Sequence, residues 1–271
     1  MAMHPKSKSI KQLAAMDGAK CKYAAELTEI VGVVSLEGQG GWSIKGQDIH
    51  CFEFAAWRRM GQPLVKRKLT ILRPVPRKND MFSDYPEGTI HKIQVLLSVD
   101  ETRCVFANLI EANPVEADLE SVATELRKPV TVKTEQYGLL TLNRKIDWFE
   151  GKTKWNGVSV EISFETGSKV GLKSQLKTAD ALFADSASWG KKVKDFAVQE
   201  KLELANEWRD DDDEKPITVA QFLKRMKLTS ISIKPRGEFE FWHNDGDLFW
   251  GHSIQISGSL KAGLTDSDIP G

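Results

Sequence analysis

Lys152-Thr-Lys-Trp-Asn-Gly-Val-Ser-Val-Glu-Ile-Ser-Phe164 decides how the second half of the chain is read. Asn156-Gly157 readily takes the positive φ angles that a two-residue type I′ turn requires, so the segment predicts a β hairpin with a fixed register. Pairing outward from the turn sets Trp155 against Val158, Thr153 against Val160 and Phe149 against Phe164 on one face, with Lys152 and Glu161 on the other. One face is then core and the other solvent. After Gly167 the apolar period becomes helical, over Leu172 to Phe183 and again from Trp189 to Trp208, where Val193, Phe196, Ala197, Leu204 and Trp208 form a stripe. The acidic run Asp210 to Glu214 reads as the solvated stop of that helix. Thr218 and Gln221 have the spacing of a capping box that opens a short helix through Met226. Three strands are expected beyond it, over Leu228 to Ile233, Gly237 to Trp242 and Leu248 to Ile256.

Upstream of the hairpin the chain reads as mostly β. Leu27 to Leu36, Asp48 to Ala55, Leu64 to Leu72, Thr89 to Ser98 and Thr102 to Ala112 are short Val, Ile, Leu and Phe runs separated by turn residues, which predicts five or six strands. Asn113 as N-cap and Pro114 as first helical residue then open a helix with Val115, Leu119, Val122 and Leu126 on one face, ended by Pro129. The fold class is therefore α+β in two domains: a polar N-terminal segment over 1–24, a β-rich domain over 25–130 closed by one helix, and an α+β domain over 135–271 built as hairpin, helices and antiparallel meander.

The 38 basic and 38 acidic residues cancel, so no global field recruits nucleic acid or an anionic membrane. Three cysteines, Cys21, Cys51 and Cys104, without CxxC spacing suit free thiols in a reducing cytosol. No secretion signal or membrane-spanning segment is visible, and the expected location is cytoplasmic. Phosphate-loop, dinucleotide, nucleophile-elbow, zinc-protease and calcium-loop motifs are absent, and no cofactor or metal is expected.

Two segments stand out as candidate sites. His243-Asn-Asp-Gly-Asp-Leu-Phe-Trp-Gly-His252 gathers two imidazoles and two carboxylates, donor types that ligate metals or transfer protons. The plainer reading makes Asn244-Asp245-Gly246 a turn, with Leu248, Trp250, His252, Ile254 and Ile256 on the buried face of the next strand. His252 is then a neutral histidine satisfied by a buried hydrogen bond, and Asp247 faces the other way unless a bulge at Gly251 changes the parity. The second candidate is basic. Arg58, Arg59, Lys66, Arg67, Lys68, Arg73, Arg77 and Lys78 occur without an acid between Trp57 and Asn79. Trp57, Arg58, Arg59, Arg67, Lys68 and Arg73 would meet an acidic partner or a phosphate backbone, with Trp57 available for stacking; the alternative is a charged strand edge facing solvent. Of the eight tryptophans, Trp42, Trp57, Trp189 and Trp242 are not obviously all core, and exposed tryptophans would favour a binding surface.

The C-terminal half also resembles a known family. FEFW at 239–242, GDLFWGHSI at 246–254 and a tail ending in DIPG, together with Tyr137-Gly138, WFEG at 148–151, ELANEW at 203–208 and the helix start at Thr218 to Phe222, are similar to bacterial domain-of-unknown-function family 2262. The resemblance covers about residues 135–271. It supplies no catalytic residues, but it marks Asp245, Gly246, Asp247, Phe249, Trp250, Gly251 and His252 as a structural or ligand-site signature. It also implies an immunity or accessory role, as for relatives from toxin neighbourhoods. The expectation is a protein-binding factor that neutralises a partner, such as a toxin, by occlusion. The alternatives are a hydrolase-like enzyme using His243 to His252 and, third, nucleic-acid binding through residues 58–78.

Overall fold

A computed structural model describes residues 7–16, 21–44, 46–75, 84–166, 172–208 and 215–271. The chain forms two compact units, Met1–Pro129 with Arg144–Ile146, and Val130–Asn143 with Asp147–Gly271. Both mix helix and strand, so the fold class is α+β.

The first unit contains β1 (Thr28–Val34), β2 (Gly40–Ile44), β3 (Gln47–Arg59), β4 (Leu69–Val75), β5 (Ile90–Leu97) and β6 (Arg103–Ala112). Their order is β1-β5-β6-β4-β3-β2, and β1 also pairs with β3, which closes five strands into a barrel and leaves β2 as an appended hairpin arm. All barrel pairings are antiparallel except β4 with β6. That order, with one parallel pair, is the topology of the OB barrel, which removes open edges by closure. Alternation fills the interior with Phe52, Phe54, Ile71, Val95, Cys104 and their neighbours.

Two helices cover the outside of this barrel. The first, α1 (Ser7–Met16), lies in the segment expected to be only polar, yet its Ile10 is buried with Ile49, Leu72, Leu96 and Val105 on the outer faces of β3, β4, β5 and β6. The second, α2 (Ala117–Arg127), packs Leu119 and Ala123 on Val31, Val33 and Ala56. It starts three residues later than the Asn-Pro signal suggests. Asn113 adopts φ 52°, Glu116 is the N-cap, and Val115 is 88% exposed instead of sharing the packed stripe.

The second unit is an eight-stranded sheet in the order β14-β13-β12-β11-β10-β9-β8-β7, assembled from β7 (Thr131–Thr134), β8 (Gly138–Asn143), β9 (Trp148–Trp155), β10 (Val158–Glu165), β11 (Lys227–Ile233), β12 (Glu238–Asn244), β13 (Ser253–Ser259) and β14 (Gly263–Asp268). The hairpin has the expected register, Trp155 opposite Val158, Thr153 opposite Val160 and Phe149 opposite Phe164. Asn156 and Gly157 take φ 47° and 83°. Between β10 and its parallel neighbour β11 run α3 (Lys173–Ala184), α4 (Ser186–Glu207) and α5 (Val219–Arg225). Both halves of the capping box form, Gln221 N–H on Thr218 Oγ1 at 3.3 Å and Thr218 N–H on Gln221 Oε1 at 2.9 Å. The acidic run 210–214 lies outside the described residues, as do Arg77 and Lys78.

Candidate functional site

The segment after β12 is a loop wound around one carboxylate, not the start of a strand. Asp245 is 1% exposed, and its Oδ2 accepts the N–H groups of Phe249 at 2.7 Å and Gly251 at 3.1 Å. Asn244 Oδ1 accepts the Gly246 N–H at 2.9 Å, an Asx turn that reverses the chain. Gly246, Asp247, Trp250 and Gly251 all have positive φ. At Gly246 a side chain is also excluded by space, since a Cβ would stand 2.8 Å from the Arg225 carbonyl oxygen.

This geometry corrects the strand expected over Leu248 to Ile256, because β13 begins only at Ser253. Leu248 and Phe249 are both buried although adjacent, while Trp250, expected to point inward, is 64% exposed. Trp208, just past α4, packs beside the loop, with ring centroids 5.5 Å from Phe249, 5.1 Å from Trp250 and 5.9 Å from His252. His252 is only partly buried and its Nδ1 has no hydrogen-bond partner, which corrects the expectation of a satisfied core histidine. Asp247 is exposed.

His243, at the other end of the segment, is 4% exposed on the same face of β12 as Phe241 and Phe239. Burial lowers its pKa to about 4, with Lys194 acting in the same sense and the Ile254 and Phe241 backbone against it. It is neutral at pH 7.

Five cations of the basic segment, Arg58, Arg59, Arg67, Lys68 and Arg73, meet acids of the same unit, while Lys66 is exposed. Arg58 bonds both Glu116 and Asp118, and the Asp118 hydrogen bond leads the causes that raise the guanidinium pKa. Arg59 meets Glu101 at 2.6 Å, and Arg67 reaches the Glu101 carboxylate at 3.5 Å and its carbonyl at 3.2 Å. Lys68 pairs with Glu37 and, at 3.5 Å, with Glu53. Arg73 pairs with Asp84 at 2.5 Å and stacks over Tyr85, 5.0 Å from its centroid. Every acid in these pairs comes from elsewhere in the first unit. Trp57, expected to be available for stacking, is 1% exposed inside the barrel cluster, which corrects that expectation.

Sequence reasoning passed over a third cluster, at Tyr85. Tyr85 stacks on Phe52 at 4.6 Å and lies 4.9 Å from His91; burial pushes its phenol up to about 12. His50, held by Gln39 at 2.6 Å, and His91, by Thr89 at 2.7 Å, are both lowered to about 4, chiefly by burial. Barrel closure alone brings these residues together, and no local pattern announces them.

Among the described residues no group of three His, Cys, Asp or Glu side chains is arranged to hold a metal ion, and no helix is long and apolar enough to cross a membrane. The three cysteines are free. The class these features define is a two-unit α+β protein whose second unit carries an aspartate-anchored, tryptophan-bearing loop. Residues 134–269 match the family described as an uncharacterized protein conserved in bacteria, DUF2262. The chain belongs to that family, and the signature loop lies within the matched residues. No curated protein matches the chain.

Proposed function

We propose that this protein is a binding factor that acts by occluding a protein partner, as an immunity or accessory protein does, and that the signature loop is its contact face. One observation carries the reading: Trp250 is held outward, 64% exposed, at φ 56°. Bulky residues rarely adopt positive φ, and it costs about 1 kcal/mol or more, so the surrounding structure must impose it. Here Asp245 clamps the backbone on either side of Trp250 through Phe249 and Gly251, and Trp208 backs the indole. A rigid, outward aromatic is the usual anchor of a protein interface. Encounter charges on the basic segment play a smaller part in this reading, since Arg58, Arg59, Arg67, Lys68 and Arg73 all have acids beside them.

A photo-crosslinking residue at position 250, in cells of the organism of origin, tests the proposal against a second chain labelled at exposed Val115. The expected result is one stoichiometric protein captured only from position 250, with its affinity reduced about 30-fold or more by Trp250→Ala in a chain of unchanged melting temperature. Equal capture from both positions, or affinity unaffected by Trp250→Ala, overturns it. The hydrolase-like alternative retains one supporting observation, the neutral His243 beside a cavity. Nucleic-acid binding through 58–78 has the OB topology in its favour, which is fold analogy alone. Against it stand the paired cations and α1 lying over outer faces of β3 and β4.

A further inference from the structure

Beneath the hairpin turn of the second unit lies a cavity of about 540 Å³, bounded by the tip of β9–β10, the first turns of α4, the end of α5 and β12. Its size falls within the roughly 300–1,000 Å³ of small-molecule sites. The inner wall is apolar: Trp155, Val193, Met226 and Phe241. Filling that wall with side chains alone leaves one group unsatisfied. The His243 imidazole lines the cavity, and its Nδ1 is buried without a hydrogen-bond partner. A buried polar atom left so destabilises the fold, a cost that a ligand group in the cavity removes.

The rim supplies the charge. Lys191 is already paired with Asp195 at 2.7 Å, whereas Lys194 and Lys227 have no ion pair among the described residues. Lys194 is close enough to lower the proton affinity of His243, so a cation and a neutral imidazole address the same space. A neutral imidazole carries one N–H; placed on Nδ1 it donates as the ammonium does, and their common complement is an anionic oxygen.

We propose that this cavity binds a small monocarboxylate with an apolar body, its chain or ring against Trp155, Val193, Met226 and Phe241 and its carboxylate between His243 and Lys194. The site is independent of Trp250 and does not rest on the partner-binding reading.

Decanoate and its neutral counterpart decan-1-ol, titrated into the full chain by calorimetry and followed through indole N–H shifts, test it. The expected result is one decanoate per chain, bound about tenfold more tightly than decan-1-ol, with the Trp155 indole shifted. Lys194→Met should weaken decanoate about fivefold or more and leave decan-1-ol unchanged. His243→Phe keeps an aromatic ring, with the cavity to take its slightly larger volume, and removes the unsatisfied nitrogen, so it should raise the melting temperature while weakening decanoate; a merely structural histidine would not move the second readout. Equal affinity for acid and alcohol, indifference to both substitutions, or no saturable binding at millimolar concentration overturns the proposal.

Discussion

The basic segment from Trp57 to Lys78 and the signature segment from His243 to His252 look alike in sequence: each is polar, and each carries a tryptophan among charges. Folding treats them oppositely. In the first, the indole goes into the barrel and acids distant in sequence meet the cations. In the second, the carboxylate of Asp245 goes inside and the indole of Trp250 comes out. A charge run is therefore not a charged patch until its long-range partners are known. An exposed aromatic, by contrast, is informative when its own neighbours hold it out. Each of the following measurements breaks or sharpens that contrast.

Acid should separate the two units most. His50 and His91 in the first unit and His243 in the second have folded pKa values near 4, below the ordinary value of 6.5. A depressed histidine pKa means the unfolded chain binds more protons, so stability is full above pH 6.5 and is lost as pH falls towards 4. At roughly 2–3 kcal/mol for each buried histidine, the first unit should lose about twice what the second loses. Denaturant midpoints at pH 7 and pH 4, read separately for the units by hydrogen exchange, check this; an equal loss would mean that the buried histidines do not set the acid sensitivity of the two units.

Next comes the anchor. Asp245→Ala removes the acceptor of two backbone N–H groups in a buried loop and should cost about 2–4 kcal/mol, confined to the second unit. Asp245→Asn retains one acceptor oxygen and should cost about half as much. If alanine costs under about 0.5 kcal/mol, the loop does not depend on its carboxylate and Trp250 is not held in place by it.

How much of this is legible in the sequence follows from where the deciding interactions lie. The hairpin and the capping box are readable because Asn156-Gly157 and Thr218 with Gln221 act within four residues. The stretch from Leu248 to His252 misleads because Leu, Trp and His at alternate positions imitate a pleat, whereas two bonds to Asp245 and a run of positive φ override the period. The edge strand β7 and its neighbour β8, the late start of α2 and the docking of α1 through Ile10 leave weak local signals. The sheet order, the closure of β1 on β3 and the pairing of Arg58 with Glu116 are long-range and leave none. The basic segment is visible in the sequence but its pairing is not; the Tyr85 cluster and the cavity beside His243 require the fold.

Arg58→Ala measures the self-neutralisation directly. The guanidinium is mostly buried between Glu116 and Asp118 at the start of α2, so its loss should cost about 1 kcal/mol, while the more exposed Lys68→Ala should cost about 0.3 kcal/mol or less. The Arg58 effect should shrink in 1 M salt less than the Lys68 effect does. A free-energy change near zero for Arg58→Ala would mean that the guanidinium is available to a partner, and the basic segment would regain the role that its pairing argues against.

The smallest expected effect is the most discriminating. Trp250→Gly gives up an indole contact with Trp208, worth about 0.5 kcal/mol or a little more, but relieves a positive φ that glycine adopts freely, worth about 1 kcal/mol before glycine's extra unfolded-state entropy is subtracted. These terms nearly cancel, so the melting temperature should move by no more than the equivalent of about 0.5 kcal/mol. Were Trp250 a core residue like Trp57, removing it would cost about 3–5 kcal/mol. A near-zero change in stability combined with loss of partner binding places the indole on an interface, and a large loss of stability makes the signature loop a folding device alone.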